Sequence, residues 1–129
     1  MITSLDHLVL TVRDIESAAR FYARVLNMQV KVFAKTRTAV HFGTQKINLQ
    51  TLGQETRNHA RVGSGDICLI TDWDTERTRQ HLLDEGVVII EGPVMKSGAN
   101  GPIASLYFND PDGNLIEVSH YQKDIQDDT

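Results

Sequence analysis

The sequence predicts an α+β fold of two tandem βαβββ modules that together form a cupped mixed sheet. Three observations lead there. The apolar patterning runs strand, helix, strand, strand, strand, then a polar gap, then the same order again. The ends of the two halves also match. DHLVLT (6–11) lies over GDICLI (65–70) at an offset of 59, and KINLQ (46–50) lies over LIEVS (115–119) at an offset of 69. Finally, each half closes on a hairpin whose turn is marked, by Gly43 in the first and by NDPDG (109–113) in the second.

The elements follow in order. LDHLVLTV (5–12) is rich in β-branched and aliphatic residues and reads as a strand. Asp14 can cap a helix over 15–28, with Ile15, Ala18, Ala19, Tyr22, Val25 and Leu26 on one stripe. QVKVFAKTR and TAVHFGTQKINLQTL read as strands joined by turns. GQETRNHARVGSG (53–65) lacks apolar periodicity and reads as a linker. DICLIT (66–71) is a strand. Asp74 can cap a helix over 75–85, stopped by Gly86. GVVIIEGP (86–93) reads as a strand, KSGANGP (96–102) as a Gly-rich loop, and IASLYFNDPDGNLIEVSH as a closing hairpin. One domain is expected, with module one at about 4–52, the linker at about 53–65, module two at about 66–121 and a frayed polar tail at 122–129.

Composition narrows the function classes. With 129 residues, 40% hydrophobic and 23% charged, the chain reads as an ordinary soluble globular domain. A net charge of −4 gives no nucleic-acid or membrane surface. The longest apolar runs are far too short to span a bilayer. No signal peptide is visible at MITSLDH. The single cysteine, Cys68, fits a reducing compartment, so the expected location is the cytoplasm.

Paired βαβββ modules, an opening DHLVLTV and a closing NDPDGNLIEV resemble the vicinal oxygen chelate superfamily. It includes glyoxalase I (lactoylglutathione lyase), fosfomycin-resistance thiol transferases, extradiol dioxygenases and methylmalonyl-CoA epimerase. The resemblance covers about residues 4–121. Its signature is specific for the fold and not for the reaction. QKINL (45–49) and DIC (66–68) are most similar to glyoxalase-domain-containing proteins, among them bacterial members labelled virulence-associated or lactoylglutathione lyase-like.

Side chains alternate along strands. On the last strand, Leu115, Glu117 and Ser119 therefore share one face. On the first strand His7, Val9 and Thr11 share one. With the other faces turned to the helices, Glu117 and His7 line the cup. By the repeat, Asp66 takes the place of His7, and Asn48 that of Glu117. In the superfamily these four places hold a divalent metal, so the resemblance implies a metal on His7, Asp66, Glu117 and Asn48. One His and two acids shift the preference toward Mn²⁺ or Mg²⁺, with Ni²⁺, Zn²⁺ and Fe²⁺ also admitted. Bland readings stand beside this one. His7 could be a hydrogen-bonded core histidine, Glu117 a solvent-facing strand residue, Asp66 a strand starter and Asn48 a polar residue in a solvated cleft.

The set departs from each named relative. Glyoxalase I-like sites offer two acids at the strand-end places, whereas only Glu117 remains here, and an amide cannot act as a base. Fosfomycin transferases use two His and one Glu, and extradiol dioxygenases a 2-His-1-carboxylate set; Asp66 breaks both patterns. The leading expectation is a glyoxalase-like lyase or isomerase. Its small oxygenated substrate, possibly a thiol adduct, is chelated through adjacent oxygens, with Glu117 moving the proton. The alternatives are small-molecule binding without turnover, and thiol transfer. A homodimer is expected, because members of the superfamily often complete each other's cups.

Among the remaining residues, His41 and Tyr107 can face the cup. Cys68 shares the Asp66 face as a small lining residue rather than a nucleophile. His59 falls in the linker, His120 alternates away from Glu117, and Trp73 can staple the second helix. KSGANGP could serve as a lid.

Overall fold

The computed structural model of the chain describes residues 1–122. The tail expected at 122–129 lies, from residue 123 on, outside the described residues. The chain divides into two compact units. One is Met1–Gly65 together with Asp110–Asn114, and the other is Asp66–Asn109 with the chain from Leu115 onward.

The first unit holds β1 (His7–Thr11), α1 (Ile15–Leu26), β2 (Gln29–Phe33), β3 (Arg37–Phe42) and β4 (Gln45–Gln50). The second holds β5 (Asp66–Ile70), α2 (Thr75–Asp84), β6 (Glu91–Gly98), β7 (Gly101–Asn109) and β8 (Leu115–Tyr121). Each forms a four-stranded mixed sheet, in the orders β1-β4-β3-β2 and β5-β8-β7-β6. The repeat extends to the pairing. β1 runs parallel to β4 with His7 opposite Lys46, and β5 runs parallel to β8 with Asp66 opposite Leu115. These pairs are related by the same two offsets that the sequence shows.

Caps and stripes explain the helices. Asp14 Oδ1 accepts the backbone N–H groups of Glu16 and Ser17 at 3.0 and 3.3 Å, and α1 closes on Asn27 at φ 55°. Ala18, Ala19, Tyr22 and Val25 are buried. With Leu10, Val40, Ile47 and Leu49 they supply the core of the first unit. Asp74 Oδ1 accepts the Arg77 N–H at 2.8 Å to start α2. That helix is more polar, and Leu82 is its one buried apolar residue. Leu106, Phe108, Ile116 and Val118 make up most of the remaining core of the second unit.

Residues 110–114 carry a dense hydrogen-bond set. Asp110 Oδ1 accepts the N–H groups of Asp112 and Asn114, both at 2.9 Å. Its Oδ2 accepts the Tyr22 hydroxyl at 2.6 Å and Asn114 Nδ2 at 2.8 Å. Asn114 Oδ1 takes the Gly65 N–H at 2.7 Å, and Asp112 Oδ1 takes the Arg13 N–H at 2.8 Å. All three polar side chains are buried, and these bonds are what makes that burial tolerable.

Two expectations need correction. GVVII does not form a strand: residues 87–90 have no regular structure, and β6 begins at Glu91. Val88 and Ile90 stay 80% and 55% exposed, so the apolar run buries little. Nor is KSGANGP a loop or lid. Residues 96–98 end β6 and residues 101–102 open β7, with Gly98 paired to Gly101 around a two-residue turn. Glycine there serves close approach, because a Cβ on Gly98 would stand 2.9 Å from both the Gly101 carbonyl oxygen and the Tyr121 hydroxyl.

The segment between β4 and β5 has no helix or strand, yet it is held in place. Gln50 Nε2 donates to Thr11 Oγ1 and to Asn58 Oδ1, both at 2.9 Å, and the Thr11 hydroxyl donates to the Ala60 carbonyl at 3.0 Å.

Candidate functional site

The side of each sheet away from its helix carries the chemistry. In the first unit, Val9, Asn48, Ala39 and Lys31 lie side by side across β1, β4, β3 and β2. His7, Lys46, His41 and Gln29 form the neighbouring row. His7 and Asn48 thus share one face of adjacent strands. His7 opens β1 and is exposed. Its Nδ1 stands 2.7 Å from Asp6 Oδ1. With Asp6 accepting, Nδ1 carries the proton and Nε2 is the nitrogen left with a lone pair. The imidazole beside it holds the Asp6 carboxyl below its ordinary range, with Lys46 adding to the effect. Asn48 is buried, and its Oδ1 has no hydrogen-bond partner. The row explains this: neither Val9 nor Ala39 has a donor to give.

In the second unit the matching row is Cys68, Glu117, Tyr107 and Glu91. Asp66 opens β5 on the same face, one row away. Here both neighbours of the central residue carry donors. Tyr107 on β7 stands opposite Glu117, and burial together with that carboxylate pushes its phenol up to about 12. The Ser119 hydroxyl donates to Glu117 Oε2 at 3.3 Å, and Ser119 is itself 2.7 Å from Ser105 Oγ and 3.4 Å from Cys68 Sγ. Burial raises the Cys68 thiol, the Ser119 contact partly offsets this, and the charges of Glu117 and Asp66 raise it further. Cys68 is therefore a protonated lining residue, as the sequence suggests, and not an activated nucleophile. A cavity of about 440 Å³ opens on this face, lined by Cys68, Ile70, Lys96, Tyr107, Glu117 and Tyr121 among others.

The four expected ligands thus fall into two pairs, His7 with Asn48 and Asp66 with Glu117. Among the described residues, no group of three His, Cys, Asp or Glu side chains is placed to hold a metal ion. The donor chemistry of the pairs nevertheless fits a divalent cation. An imidazole held at Nδ1 presents Nε2, a buried amide oxygen has no partner, and two carboxylates share a face.

The other sequence expectations fall into place. His41 lies on the Asn48 face. His120 turns away from Glu117 and meets the Thr71 carbonyl at 3.2 Å. Trp73 stacks on the Arg77 guanidinium at 3.7 Å. Sequence reasoning missed the Asp6 brace and the Ser105–Ser119 pair. Alternation from Glu117 reaches Ser119, but Ser105 enters only through the strand register.

Residues 4–118 match the Glyoxalase/Bleomycin resistance protein/Dioxygenase superfamily model. The glyoxalase domain-containing protein RDO1 of Mycosarcoma maydis is 45% identical over 124 residues, spanning 94% of this chain and 70% of that protein. Virulence protein STM3117 of Salmonella typhimurium is also 45% identical, over 94% of this chain and 86% of its own. An integron cassette protein from the mobile metagenome of V. cholerae superposes with a TM-score of 0.90 at 52% identity, covering 95% of this chain and 98% of that one. More distantly, the metallothiol transferase FosB of Staphylococcus epidermidis is 28% identical over 91% of this chain and 81% of its own. Lactoylglutathione lyase from Agrobacterium tumefaciens shares the fold, with a TM-score of 0.74 at 20% identity over 93% of this chain and 95% of that one.

Proposed function

The chain belongs to the Glyoxalase/Bleomycin resistance protein/Dioxygenase superfamily, and from that membership we propose that it is a metal-dependent lyase or isomerase of the glyoxalase kind acting on a small oxygenated substrate. The observation that carries the proposal is the setting of Glu117: a carboxylate on the face away from the helix, one row from Asp66, flanked by the Cys68 thiol and the Tyr107 phenol on the neighbouring strands and accepting from Ser119 on its own.

In this reading His7, Asp66 and Glu117 hold one divalent cation, with Asn48 completing the set. Mn²⁺ or Mg²⁺ suits the oxygen-rich donors, and Ni²⁺, Zn²⁺ or Fe²⁺ remain alternatives. Such a cation supplies Lewis acidity to two adjacent substrate oxygens. The chain's own residues do the rest. Asp6 fixes the His7 tautomer. Glu117 moves a proton to or from the substrate. Ser119 donates to its carboxylate, and Tyr107 stands opposite it on the neighbouring strand. Asn48 stands where a second acid would be expected and cannot take a proton, which favours a second reading: small-molecule binding without turnover. Similarity to FosB supports a thiol as co-substrate or as part of the substrate.

We place the protein in the cytoplasm, on the strength of its single cysteine, and no helix among the described residues is long and apolar enough to cross a membrane. We also propose a homodimer. β2 and β6 are edge strands, and Val32 is 65% and Met95 52% exposed on them. A monomer in light scattering at micromolar concentration overturns that part.

The central test is metal content per chain. Wild type should hold one equivalent after dialysis, and His7→Ala and Glu117→Gln should each lose it. Full occupancy in both variants overturns the ligand assignment. Metal-bound protein that turns over neither a hemithioacetal of methylglyoxal nor a thiol-dependent substrate supports the binding reading.

A further inference from the structure

The first unit carries a second feature on the same face. Lys31 on β2, Arg37 and His41 on β3 and Lys46 on β4 all project there, around Phe33. Lys46 Nζ lies 3.7 Å from the Phe33 ring centroid, and the Arg37 guanidinium carbon lies 5.7 Å from it. Two cations therefore share one aromatic ring, with a third cation and an imidazole on the same sheet face. Mutual repulsion makes such a gathering unfavourable unless something negative joins it.

The nearby acids are engaged elsewhere. Asp6 is taken by His7 at 2.7 Å, and Glu55 is held bidentately by Arg57, at 2.9 and 2.7 Å. Among the described residues, Lys31, Arg37 and Lys46 have no carboxylate within ion-pairing distance. The ring quadrupole of Phe33 offsets part of the repulsion and none of the net charge. Arg37 Nε is buried and has no hydrogen-bond partner, although a guanidinium N–H is an obligatory donor. Arg37 Nε thus lacks an acceptor, while the charges of Asp6 and Glu55 reach Lys46 and Arg37 only from beyond ion-pairing distance.

We propose that this face of the first unit is an anion-binding subsite, in which Arg37 and Lys46 over Phe33, flanked by Lys31 and His41, take up a carboxylate, phosphonate or phosphate group of a small-molecule ligand. The cations span three adjacent strands, roughly 10 Å, which suits one oxyanion group and not a polymer track. The net charge of −4 also disfavours a nucleic acid. Planar guanidinium geometry matches two oxygens of such a group, and Lys46 adds a mobile point charge. The subsite assigns a ligand class to the proposed site and does not depend on bound metal.

The test is a phosphate titration of the ¹⁵N-labelled 129-residue chain in chelator, at constant ionic strength against chloride, followed by NMR and repeated with acetate. Saturable shifts should centre on Lys31, Arg37, His41 and Lys46 and include the Arg37 Nε–H signal. Lys46→Gln should weaken binding about fivefold, and Lys96→Gln, on the other unit, should leave it unchanged. Shifts that stay linear overturn the proposal, as do shifts centred on Lys96 or equal affinity in Lys46→Gln. Metal analysis of a parallel sample, dialysed free of chelator against excess metal, separates the two readings. Phosphate binding without any metal capacity sinks the metal reading alone, and metal binding with linear phosphate shifts sinks the subsite alone.

Discussion

The row Val9–Asn48–Ala39–Lys31 and the row Cys68–Glu117–Tyr107–Glu91 occupy the same places in two sheets of identical strand order and inner register. Their chemistry is opposite. In the first, an amide oxygen is left without a donor and a lysine closes the row. In the second, a carboxylate has a hydroxyl on one side and a thiol on the other, and a glutamate closes the row. The helix-side positions explain how both can ride on one backbone plan. Leu10, Ile47 and Leu49 answer Leu69, Ile116 and Val118, and packing constrains them. The opposite face mixes buried positions, such as Ala39, Asn48, Ser105 and Ser119, with exposed ones, such as Lys31, Cys68 and Glu91, and there the two units differ in charge while the register stays the same.

Exchanging the central residue should give the largest effect. Asn48→Glu places a second acid opposite Val9, where a glyoxalase-type site would offer one. Wild type loaded with metal should turn over a hemithioacetal of methylglyoxal weakly. The variant should raise the rate by about 10²-fold or more, the usual contribution of a positioned base. Strong wild-type turnover contradicts the proton account. Asn48→Leu sharpens the same point: removing an oxygen that has no partner should change metal-free stability by less than about 1 kcal/mol while weakening metal binding.

The two hairpin turns differ as much as the rows. The β3–β4 turn is Gly43–Thr44, with Gly43 at φ +52° and both residues exposed, whereas the β7–β8 turn buries Asp110, Asp112 and Asn114. Asp110→Ala leaves the Tyr22 hydroxyl and two backbone N–H groups without their acceptor, and should cost about 3 kcal/mol or more in urea unfolding. Tyr22→Phe should cost about 1–2 kcal/mol. Burial, and then Asp110, raise the Tyr22 phenol above its ordinary range. The neutral phenol is the form the fold favours, so its contribution is complete below the unfolded value of about 10 and declines as pH rises beyond it. Tyr22→Phe should remove that alkaline loss. Substitutions at Thr44 should stay within about 0.5 kcal/mol.

Much of this was legible in the sequence because the repeat restricts it twice. Two offsets relate the strands, and alternation then places His7, Asn48, Asp66 and Glu117 on the helix-free faces. The failures cluster around β6. GVVII has the composition of a strand, but Val88 and Ile90 find nothing to bury against, and glycine in KSGANGP marks two hairpin arms rather than a loop. Composition cannot separate a glycine needed for a turn from one needed for close approach under Tyr121. Asp6 was illegible for a different reason. It is next to His7 in sequence, and alternation sends neighbours to opposite faces. Just before the first strand residue, its side chain is free to bend back to the ring.

The donor side of the comparison can be tested through Tyr107. Its phenol should titrate at about 12 in the wild type, and Glu117→Gln should bring it down, because the carboxylate is the named neighbour that raises it after burial. Absorbance of the phenolate in a Tyr121→Phe background resolves the transition from Tyr22. An unmoved Tyr107 would break the Tyr107–Glu117 pairing, and with it the contrast between the rows.

The smallest expected effect lies at His41, and it reports on the first unit directly. Burial lowers the imidazole below its ordinary value, and the charges of Lys31 and Lys46 lower it further. The sign follows from the charged form: a nearby cation disfavours imidazolium, so removing one must raise the value. Lys46→Gln and Lys31→Gln should each shift the His41 ring signals upward in an NMR titration. Neither should restore the ordinary value, because burial is the larger cause and remains. Phosphate added to the wild type should act in the same direction, since an anion among these cations favours imidazolium. If both lysine variants and phosphate leave His41 where it was, the cations are not acting on one another. The first unit's face would then be a scatter of solvated charges, and its opposition to the acidic face of the second would lose its physical basis.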